Sequence, residues 1–252
     1  MKATAIIPAR YGSTRFPGKP LALINGLTMI QHVCQRVANA TMVDRVIVAT
    51  DDERIAAVVD AFGGEVMLTR ADHPTGTDRL AEVAEKIESE LIVNVQGDEP
   101  LIDPRMVDQV ISPLAKNRQI RMGTLACLID QVDDFYNPNV VKVVRKQSGM
   151  ALYFSRAPIP CPRDLNAEQL VALLPQLGLL RHIGLYVYRR ELLLEYPSWP
   201  KMPLEKLENL EQLRALERGV DLYVAETEFS CHGVDTPDDL KRVSQLMSVE
   251  NQ

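Results

Sequence analysis

The stretch IIPARYGSTRFPGKP, residues 6–20, decides the fold of this chain. An apolar β-type run, residues 4–9, leads directly into a loop that carries two glycines, two hydroxyls and the cations Arg10, Arg15 and Lys19. Cations and backbone amides on a loop at the end of a strand are typical of a polyanion site, most simply a triphosphate site. The alternative is a solvated basic turn between a strand and a helix, which is the commoner role of such a loop.

This loop matches neither of the two common phosphate-binding patterns. Five residues separate Gly12 from Gly18, where a Walker A loop has four, and Pro20 stands where the Mg²⁺-binding Ser or Thr would be. A dinucleotide fingerprint would need a third glycine at the correct spacing. The loop must therefore bind phosphates in another way.

Outward from this loop, short β-type runs alternate with segments whose apolar residues recur at helical spacing. Such alternation predicts an α/β fold with a doubly wound, mainly parallel sheet. The predicted strands of the first half are residues 4–9, 45–49, 65–69 and 91–96, and the helices between them are residues 28–39, 53–62 and 78–88.

The second half changes character, because four β-type runs follow one another with few helices between them. These runs predict antiparallel strands added to the sheet, at residues 122–129, 140–145, 151–155 and 183–188. Further helices are expected at residues 167–174, 203–218 and 237–247, and a last strand at residues 221–225.

The composition is that of an ordinary globular protein. The chain has 252 residues, of which 46% are hydrophobic and 25% charged, enough for one large α/β domain or a domain with a subdomain. The net charge of −6 argues against a nucleic-acid partner, which would need a basic surface.

No membrane or export signal is expected. No apolar run approaches the ~18 residues of a membrane span, and the first residues enter a core strand instead of a signal peptide. The four cysteines form no CxxC pair, so we expect reduced thiols and a cytoplasmic protein.

Asp98 and Asp235 are candidate metal ligands. Asp98 follows an apolar strand within two residues, and ligands of open α/β sheets bind outside the carboxyl ends of the strands. A carboxylate there suits Mg²⁺, which takes one or two carboxylates and completes its octahedron with water and phosphate. The alternatives are structural: Asp98 lies in good turn chemistry, and Asp235 precedes a helix with Thr236 as N-cap and Pro237 at N1.

Several other polar residues are candidates for substrate contacts, and each has a structural alternative. Arg79 begins a helix after a small-residue loop, where a solvated arginine is equally common. Gln96 ends an apolar strand, where an amide is most simply structural. In a binding site, the same amide could read the Watson–Crick edge of a pyrimidine or hold a sugar. His182 precedes an aromatic strand, and a lone histidine is more often a partly buried structural residue than a ligand. Glu211 and Gln212 look like surface residues of a Leu-rich helix.

Six further segments, in addition to residues 6–20, carry a family resemblance. They are TGTDR (75–79), NVQGDEP (94–100), ALYFSR (151–156), RHIGLY (181–186), LEQLR (210–214) and GVDTP (233–237). The basic loop resembles the signature of sugar-activating nucleotidyltransferases. The six segments, in this order over nearly the whole chain, narrow the resemblance to the 3-deoxy-manno-octulosonate cytidylyltransferase (CMP-Kdo synthetase) family.

The resemblance implies a function and a fold. The fold is the nucleotide-diphospho-sugar transferase type, a single domain with a nucleotide-binding half at roughly 1–120 and a sugar-binding and dimerisation half at 121–252. The reaction is transfer of CMP from CTP to the anomeric hydroxyl of 3-deoxy-manno-octulosonate (Kdo), for lipopolysaccharide synthesis. Mg²⁺ is the implied cofactor. A homodimer is also implied, and residues 183–188 and 158–162 are the expected contact surface.

The resemblance also assigns roles to individual residues. Catalytic roles fall to Lys19, Asp98 and Asp235, and the two aspartates are the implied metal ligands. The implied nucleotide-binding residues are Arg10, Ser13, Arg15, Lys19, Thr77, Arg79 and Gln96. The implied sugar-binding residues are Gln96, Arg156, Arg163, His182, Tyr186, Glu211 and Gln212. Arginine suits a sugar carboxylate because its guanidinium makes two parallel hydrogen bonds.

Two alternatives remain open at this stage. The first is an enzyme of the same class that uses a related sugar, such as 8-amino Kdo, sialic acid or an aldose 1-phosphate. The segments around His182 and Glu211 favour the octulosonate branch. The second is a catalytically silent nucleotide-binding protein on the same fold, and the presence of Lys19, Asp98 and Asp235 argues against it.

Overall fold

A computed structural model describes residues 2–12 and 16–250 of the chain. The strands are β1 Ala3–Ala9, β2 Leu23–Ile24, β3 Leu27–Thr28, β4 Val43–Thr50, β5 Glu65–Leu68, β6 Leu91–Asn94, β7 Met122–Leu128, β8 Lys142–Arg145, β9 Ala151–Ser155, β10 Leu180–Arg189 and β11 Leu222–Glu226. The α-helices are α1 Met29–Ala38, α2 Glu53–Ala61, α3 Gly76–Glu85, α4 Pro104–Lys116, α5 Val132–Tyr136, α6 Ala167–Leu173, α7 Arg190–Glu195, α8 Pro203–Glu208, α9 Leu213–Glu217 and α10 Pro237–Glu250.

Nine of these strands form one mixed sheet across the described residues, in the order β11-β7-β10-β6-β1-β4-β5, with β8 paired to β10 and β9 to β8. Strands β1, β4, β5 and β6 are parallel to one another. Strand β10 runs antiparallel to both of its main neighbours, β6 and β7, and β11 runs parallel to β7. The expected α/β fold, with a mainly parallel sheet and added antiparallel strands, is confirmed.

Both faces of the sheet are covered, which explains why the central strands are nearly continuous apolar runs. Along β1, Ala5 and Ile7 pack into one hydrophobic cluster with α1, α2 and α4. The intervening residue, Ile6, packs into a second cluster with α3 and α7. Because successive side chains of a strand point to opposite faces, the two clusters are the two layers of the core.

The prediction of one continuous helix over residues 203–218 is wrong, because the segment forms two short helices, α8 and α9. Asn209 lies between them with a φ of 52°, a left-handed conformation that ends a helix and that asparagine tolerates. The residues after it, Glu211 and Gln212, therefore lie in the connection between α8 and α9. Helix α4 was not predicted, although Asp103 and Pro104 form a typical helix start, with the Asp103 carboxylate accepting from Arg105 N at 2.8 Å.

Two further observations concern the whole described chain. Cys34, Cys127, Cys161 and Cys231 are all free thiols. No helix among the described residues is both long enough and apolar enough to cross a membrane.

Candidate active site

A cavity of about 380 Å³, which we call the larger cavity, opens at the carboxyl ends of β1 and β6. This edge is where open α/β sheets bind ligands. Six residues that the sequence singles out contribute to its walls: Arg10, Lys19, Arg79, Gln96, Asp98 and Asp235.

The ammonium group of Lys19 lies between the two candidate metal ligands. Its Nζ donates to Asp98 Oδ2 at 2.6 Å and to Asp235 Oδ1 at 3.2 Å. The side chain of Lys19 is 13% exposed, whereas those of Asp98 and Asp235 are 31% and 50% exposed. These three residues, which are far apart in the chain, therefore meet at one point.

Backbone hydrogen bonds fix the loops that carry the two carboxylates. Val234 N donates to Asp98 O at 2.9 Å, which ties the loop after β6 to the loop before α10. Thr236 caps α10 as expected, since Asp239 N donates to Thr236 Oγ1 at 3.2 Å and Thr236 N donates to Asp239 Oδ2 at 3.0 Å. Asp235 is thus held one residue before a well-capped helix, with its carboxylate against Lys19.

Close packing of backbone also shapes this end of the cavity. A Cβ atom at Gly97 would lie 3.0 Å from the carbonyl oxygen of Pro8, so glycine allows the loop after β6 to approach β1. The basic loop closes at its base, where Gly18 N donates to Tyr11 O at 2.9 Å and Gly18 has a φ of 71°. These contacts place Lys19 and Asp98 on neighbouring, braced loops.

Two of the predicted nucleotide-binding residues, Ser13 and Arg15, lie outside the described residues, so their roles stay predictions.

Asp98 and Asp235 fit a hard divalent cation. Mg²⁺ takes one or two carboxylates and fills the rest of its octahedron with water and substrate phosphate. Within residues 2–12 and 16–250, no group of three or more His, Cys, Asp or Glu side chains is placed to hold a metal. Two converging carboxylates without a third protein ligand suit an ion that binds together with a phosphate.

Arg79 is more buried than a solvated helix-start arginine. Its residue is 6% exposed, Nη2 lies 2.9 Å from Asp51 Oδ1, and Nη1 donates to Thr69 Oγ1. The guanidinium therefore braces the wall of the larger cavity through contacts at the ends of β4 and β5. Thr77, two residues earlier on α3, is 5% exposed and lines the neighbouring cavity instead.

A smaller cavity of about 170 Å³ adjoins the larger one, and Gly76 and Gln96 line both. Gln96 Nε2 donates to Gly184 O at 3.3 Å, which holds the amide between the two cavities. The remaining walls of the smaller cavity consist of hydrogen-bonding side chains, namely Thr77, Asn94, Tyr186, Tyr188, Tyr196, Glu211 and Gln212.

Two buried polar atoms of the smaller cavity have no hydrogen-bond partner among the described residues. They are Asn94 Oδ1 and Gln212 Nε2, and each residue is 4% exposed. An unpaired buried polar group costs about 1–3 kcal/mol. The pair therefore indicates a ligand that donates to Asn94 and accepts from Gln212, and a sugar hydroxyl does both.

Burial holds the phenols of the smaller cavity in their neutral form. It raises the pKa of Tyr186 and of Tyr188 well above the usual value for tyrosine, and it also raises the pKa of Tyr196. Burial likewise raises the pKa of Glu211, against the opposing effect of a hydrogen bond with Thr77. Neutral phenols both donate and accept hydrogen bonds, as recognition of a polyhydroxy ligand requires.

His182 packs against Tyr186, a lining residue of the smaller cavity, on the side away from the cavity. Its Nε2 lies 2.9 Å from Thr124 Oγ1, and its ring centroid lies 5.3 Å from that of Tyr186 and 5.0 Å from that of Phe154. Burial lowers the pKa of His182 to about 3, so the imidazole is neutral at physiological pH. His182 therefore orients Tyr186 and does not itself line either cavity.

Two predicted sugar-binding arginines are not brought to the cavities. The guanidinium of Arg156 donates to Glu208 O at 2.7 Å and to Pro138 O at 3.0 Å, so it ties two loops together. Arg163 is exposed on the connection between β9 and α6. The contacts of Arg156 are structural ones, and its expected role in the sugar site stays a prediction.

The fold and this site define the class of protein. A family model described as Cytidylyltransferase matches residues 4–222, which places the chain among the nucleotidyltransferases. A structure of a cytidylyltransferase from Leptospira borgpetersenii has a TM-score of 0.65 at 18% identity, covers 99% of this chain and 87% of its own, and supports the fold alone.

Closer relatives narrow the class. The 3-deoxy-manno-octulosonate cytidylyltransferase of Syntrophotalea carbinolica is 59% identical over 96% of this chain and 97% of its own length. That of Geobacter metallireducens is 56% identical over 98% of each. A solved CMP:2-keto-3-deoxy-manno-octonic acid synthetase complexed with CTP has a TM-score of 0.92 at 44% identity, covering 99% of this chain and 100% of its own. The chain belongs to the 3-deoxy-manno-octulosonate cytidylyltransferase family.

Proposed function

We propose that this chain transfers CMP from CTP to the anomeric hydroxyl of Kdo and releases pyrophosphate. The observation that carries the proposal is the position of Lys19 between Asp98 and Asp235, in a cavity that shares a wall with a second cavity lined mainly by phenols and amides. The first arrangement suits a triphosphate and the second a polyhydroxy sugar. The names of the relatives and the CTP of the solved relative support the same two substrates.

The chemistry asks the protein for positioning and for charge neutralisation. The anomeric oxygen forms a bond to the α-phosphorus, the bond from that phosphorus to the β-phosphate oxygen breaks, and the hydroxyl proton is released. Lys19 and Arg10 line the larger cavity, where they would neutralise the triphosphate and the departing pyrophosphate. Gln96 would lie between the two reactants, because it lines both cavities.

We also propose Mg²⁺ as the cofactor, held by Asp98 and Asp235. When bound there it would neutralise phosphate charge and polarise a phosphoryl oxygen. The protein's own contribution is to hold the two carboxylates together through Lys19 and through the bond from Val234 N to Asp98 O. Chelation with EDTA should abolish activity and Mg²⁺ should restore it. Activity that is indifferent to chelation would remove the metal from the proposal.

The unpaired atoms of Asn94 and Gln212, with the phenols of Tyr186 and Tyr188, support a sugar with several hydroxyls in the smaller cavity. A related acid sugar, 8-amino Kdo or sialic acid, is the alternative. A cavity built to hydrogen-bond specific hydroxyls rejects ligands that lack them or that carry extra bulk. We therefore expect transfer to Kdo to exceed transfer to sialic acid greatly.

The decisive experiment measures pyrophosphate release from CTP and Mg²⁺ with Kdo, 8-amino Kdo and sialic acid in parallel. Release with Kdo alone supports the proposal in full. Equal release with all three sugars would keep the cytidylyltransferase and remove the choice of sugar. No release with any of them would remove the proposed reaction.

We further propose a cytoplasmic homodimer that serves lipopolysaccharide synthesis. Residues 183–188 of the expected dimer surface belong to β10, which is paired with β6 on one side and β7 on the other, so its edges are not free to pair with a partner strand. Exposed apolar side chains elsewhere in the second half support a contact surface instead, since Leu152 on β9 is 56% and Val171 on α6 is 60% exposed. Light scattering coupled to gel filtration tests the dimer.

A further inference from the structure

A buried histidine lines the larger cavity, and neither the fold nor the proposed chemistry accounts for it. The side chain of His73 is 3% exposed, and its Nε2 lies 2.6 Å from Glu82 Oε2. Its other ring nitrogen, Nδ1, is buried and has no hydrogen-bond partner among the described residues. An unpaired nitrogen on a buried ring in a cavity wall indicates a ligand contact.

The contact with Glu82 determines which nitrogen of His73 carries the proton. Glu82 also accepts from Arg70 N at 3.0 Å and from Lys86 Nζ at 2.8 Å. Burial raises the pKa of Glu82, but these hydrogen bonds outweigh it and lower the pKa to about 2. An ionised carboxylate only accepts, so Nε2 must be the donor. In the neutral imidazole, Nδ1 is then an acceptor.

His73 contributes to the cavity wall from a different loop than the two carboxylates. It lies in the connection between β5 and α3, whereas Asp98 follows β6, and β1 and β4 lie between β5 and β6 in the sheet. Three strand spacings amount to roughly 14 Å between the ends of β5 and β6. A nucleoside triphosphate whose phosphates lie at Lys19 would therefore extend its base toward the loop that carries His73.

We propose that Nδ1 of His73 accepts a hydrogen bond from the exocyclic amino group of cytosine and so selects CTP over UTP. Cytosine presents an amino donor where uracil presents a carbonyl acceptor. With UTP, two acceptors would face each other and the buried Nδ1 would stay unpaired, which is costly. Glu82 acts as the positioning residue, because it fixes the tautomer that makes Nδ1 an acceptor. This inference rests on the proposed function, since it names the base-reading contact of the same site.

The test compares kcat/KM for CTP and for UTP in four variants. His73→Ala should lower the CTP-to-UTP preference by roughly 10–100-fold, as expected for one buried hydrogen bond. His73→Asn keeps an acceptor near the position of Nδ1 but loses the contact with Glu82, so it should retain more preference than His73→Ala. Glu82→Gln should raise the use of UTP, because an amide also donates to Nε2 and permits the tautomer with a proton on Nδ1.

The matched control is His32→Asn. His32 is a partly buried histidine whose Nε2 lies 2.8 Å from Ile24 O, away from the cavity walls. Its substitution should leave the CTP-to-UTP preference unchanged. A purely structural role for His73 would lower kcat/KM for both nucleotides by the same factor, and that result would overturn the inference.

Calorimetric binding of CTP and UTP with Mg²⁺, without sugar, separates this inference from the proposed reaction. If the wild-type chain prefers CTP and His73→Ala or Glu82→Gln loses that preference, the inference stands even where no CMP is transferred to Kdo. If the wild type binds both nucleotides equally, or if both of these variants keep the full preference, the inference is wrong whatever the transfer assay shows.

Discussion

The larger and the smaller cavity share a wall but differ in the kind of side chain that would bind a ligand. The larger cavity places full charges on its walls, with Lys19 bonded to Asp98 and Asp235 and with Arg10 nearby. The smaller cavity is lined by neutral phenols and amides, of which two polar atoms have no partner in the described part of the chain, and by one carboxyl group, Glu211, whose pKa is raised by burial. Charges act where phosphoryl charge must be neutralised, and buried neutral groups act where one sugar must be distinguished from another.

This difference assigns turnover mainly to the larger cavity and sugar recognition mainly to the smaller one. Substitutions in the first should therefore lower kcat, whereas substitutions in the second should raise KM for the sugar. The following substitutions test that division.

Loss of either carboxylate at Lys19 should have the largest effect. Asp98→Asn and Asp235→Asn should each lower kcat by roughly 10³-fold, because several kcal/mol of charge stabilisation depend on a hard-metal ligand. Both variants keep the shape of the side chain, so the melting temperature should change little. The measurement is pyrophosphate release at saturating Mg²⁺. Asp238→Asn is the matched control, because this carboxylate is 89% exposed on the first turn of α10. A near-normal kcat for Asp98→Asn or Asp235→Asn would show that the residue is not a metal ligand.

Lys19→Ala should lower kcat by roughly 10²-fold and weaken CTP binding as well, because the ammonium would stabilise charge that develops on the leaving group. Lys19→Arg should rescue only part of the loss, since a guanidinium is larger and directs its hydrogen bonds differently. Steady-state kinetics with CTP as the varied substrate provide the test. An effect confined to KM for CTP would reduce Lys19 to a binding contact.

Gln212→Ala should raise KM for Kdo by about tenfold, because one buried hydrogen bond to the sugar would be lost. The dissociation constant of CTP, measured by calorimetry, should stay nearly unchanged. Gln176→Ala serves as the control, since this glutamine is exposed on the surface. Weaker CTP binding in Gln212→Ala, with KM for Kdo unaltered, would contradict the assignment of the two cavities.

The smallest expected effect concerns the support behind the smaller cavity. The native pKa of His182 is lowered from 6.5 to about 3, so below about pH 6.5 the unfolded chain binds a proton that the native chain excludes. The stabilising contribution of neutral His182 is therefore complete above the unfolded pKa and decreases as the pH falls. Between about pH 6.5 and 5.5, the free energy of unfolding should fall by about 1 kcal/mol more in the wild type than in His182→Gln.

Urea denaturation at both pH values measures this difference. Equal losses in the two proteins would mean that His182 is not held neutral, and that the ring behind Tyr186 is more hydrated than its contacts indicate.

That Lys19 and Asp98 lie at the same edge of the sheet could be predicted from the sequence, for a physical reason. Lys19, Asp98 and Asp235 lie in loops at element ends, and parallel strands bring their carboxyl ends to one edge of the sheet. Strand–helix alternation, which predicts the parallel sheet, therefore places the loops after β1 and β6 at the same edge, whereas the order that makes these strands neighbours comes from the structure. The convergence of Asp235 with them came from the family resemblance, since its loop precedes α10 far along the chain.

The neutral end was harder to predict, because its contacts depend on tertiary packing. Asn94 was missed within an apolar strand, although it lies two residues before Gln96 and so on the same face. Glu211 and Gln212 looked like surface residues of one helix. In the structure, α8 ends at Asn209, and the two residues after this break line the smaller cavity. Arg156 has the charge that a sugar acid requires, but loop carbonyls take its hydrogen bonds. The periodicity of the sequence does not show which donor pairs with which acceptor in the folded chain.

The wall formed by Gly76 and Gln96 connects the two binding equilibria. A side chain that touches both ligands contributes to both binding free energies, so each ligand changes the affinity of the other by the same factor. The ligand that binds first also orders that wall, which costs conformational entropy. The second ligand binds to a wall that is already ordered and loses less entropy. We therefore expect Kdo to bind more tightly to the chain loaded with CTP than to the free chain, and CTP to gain equally from Kdo.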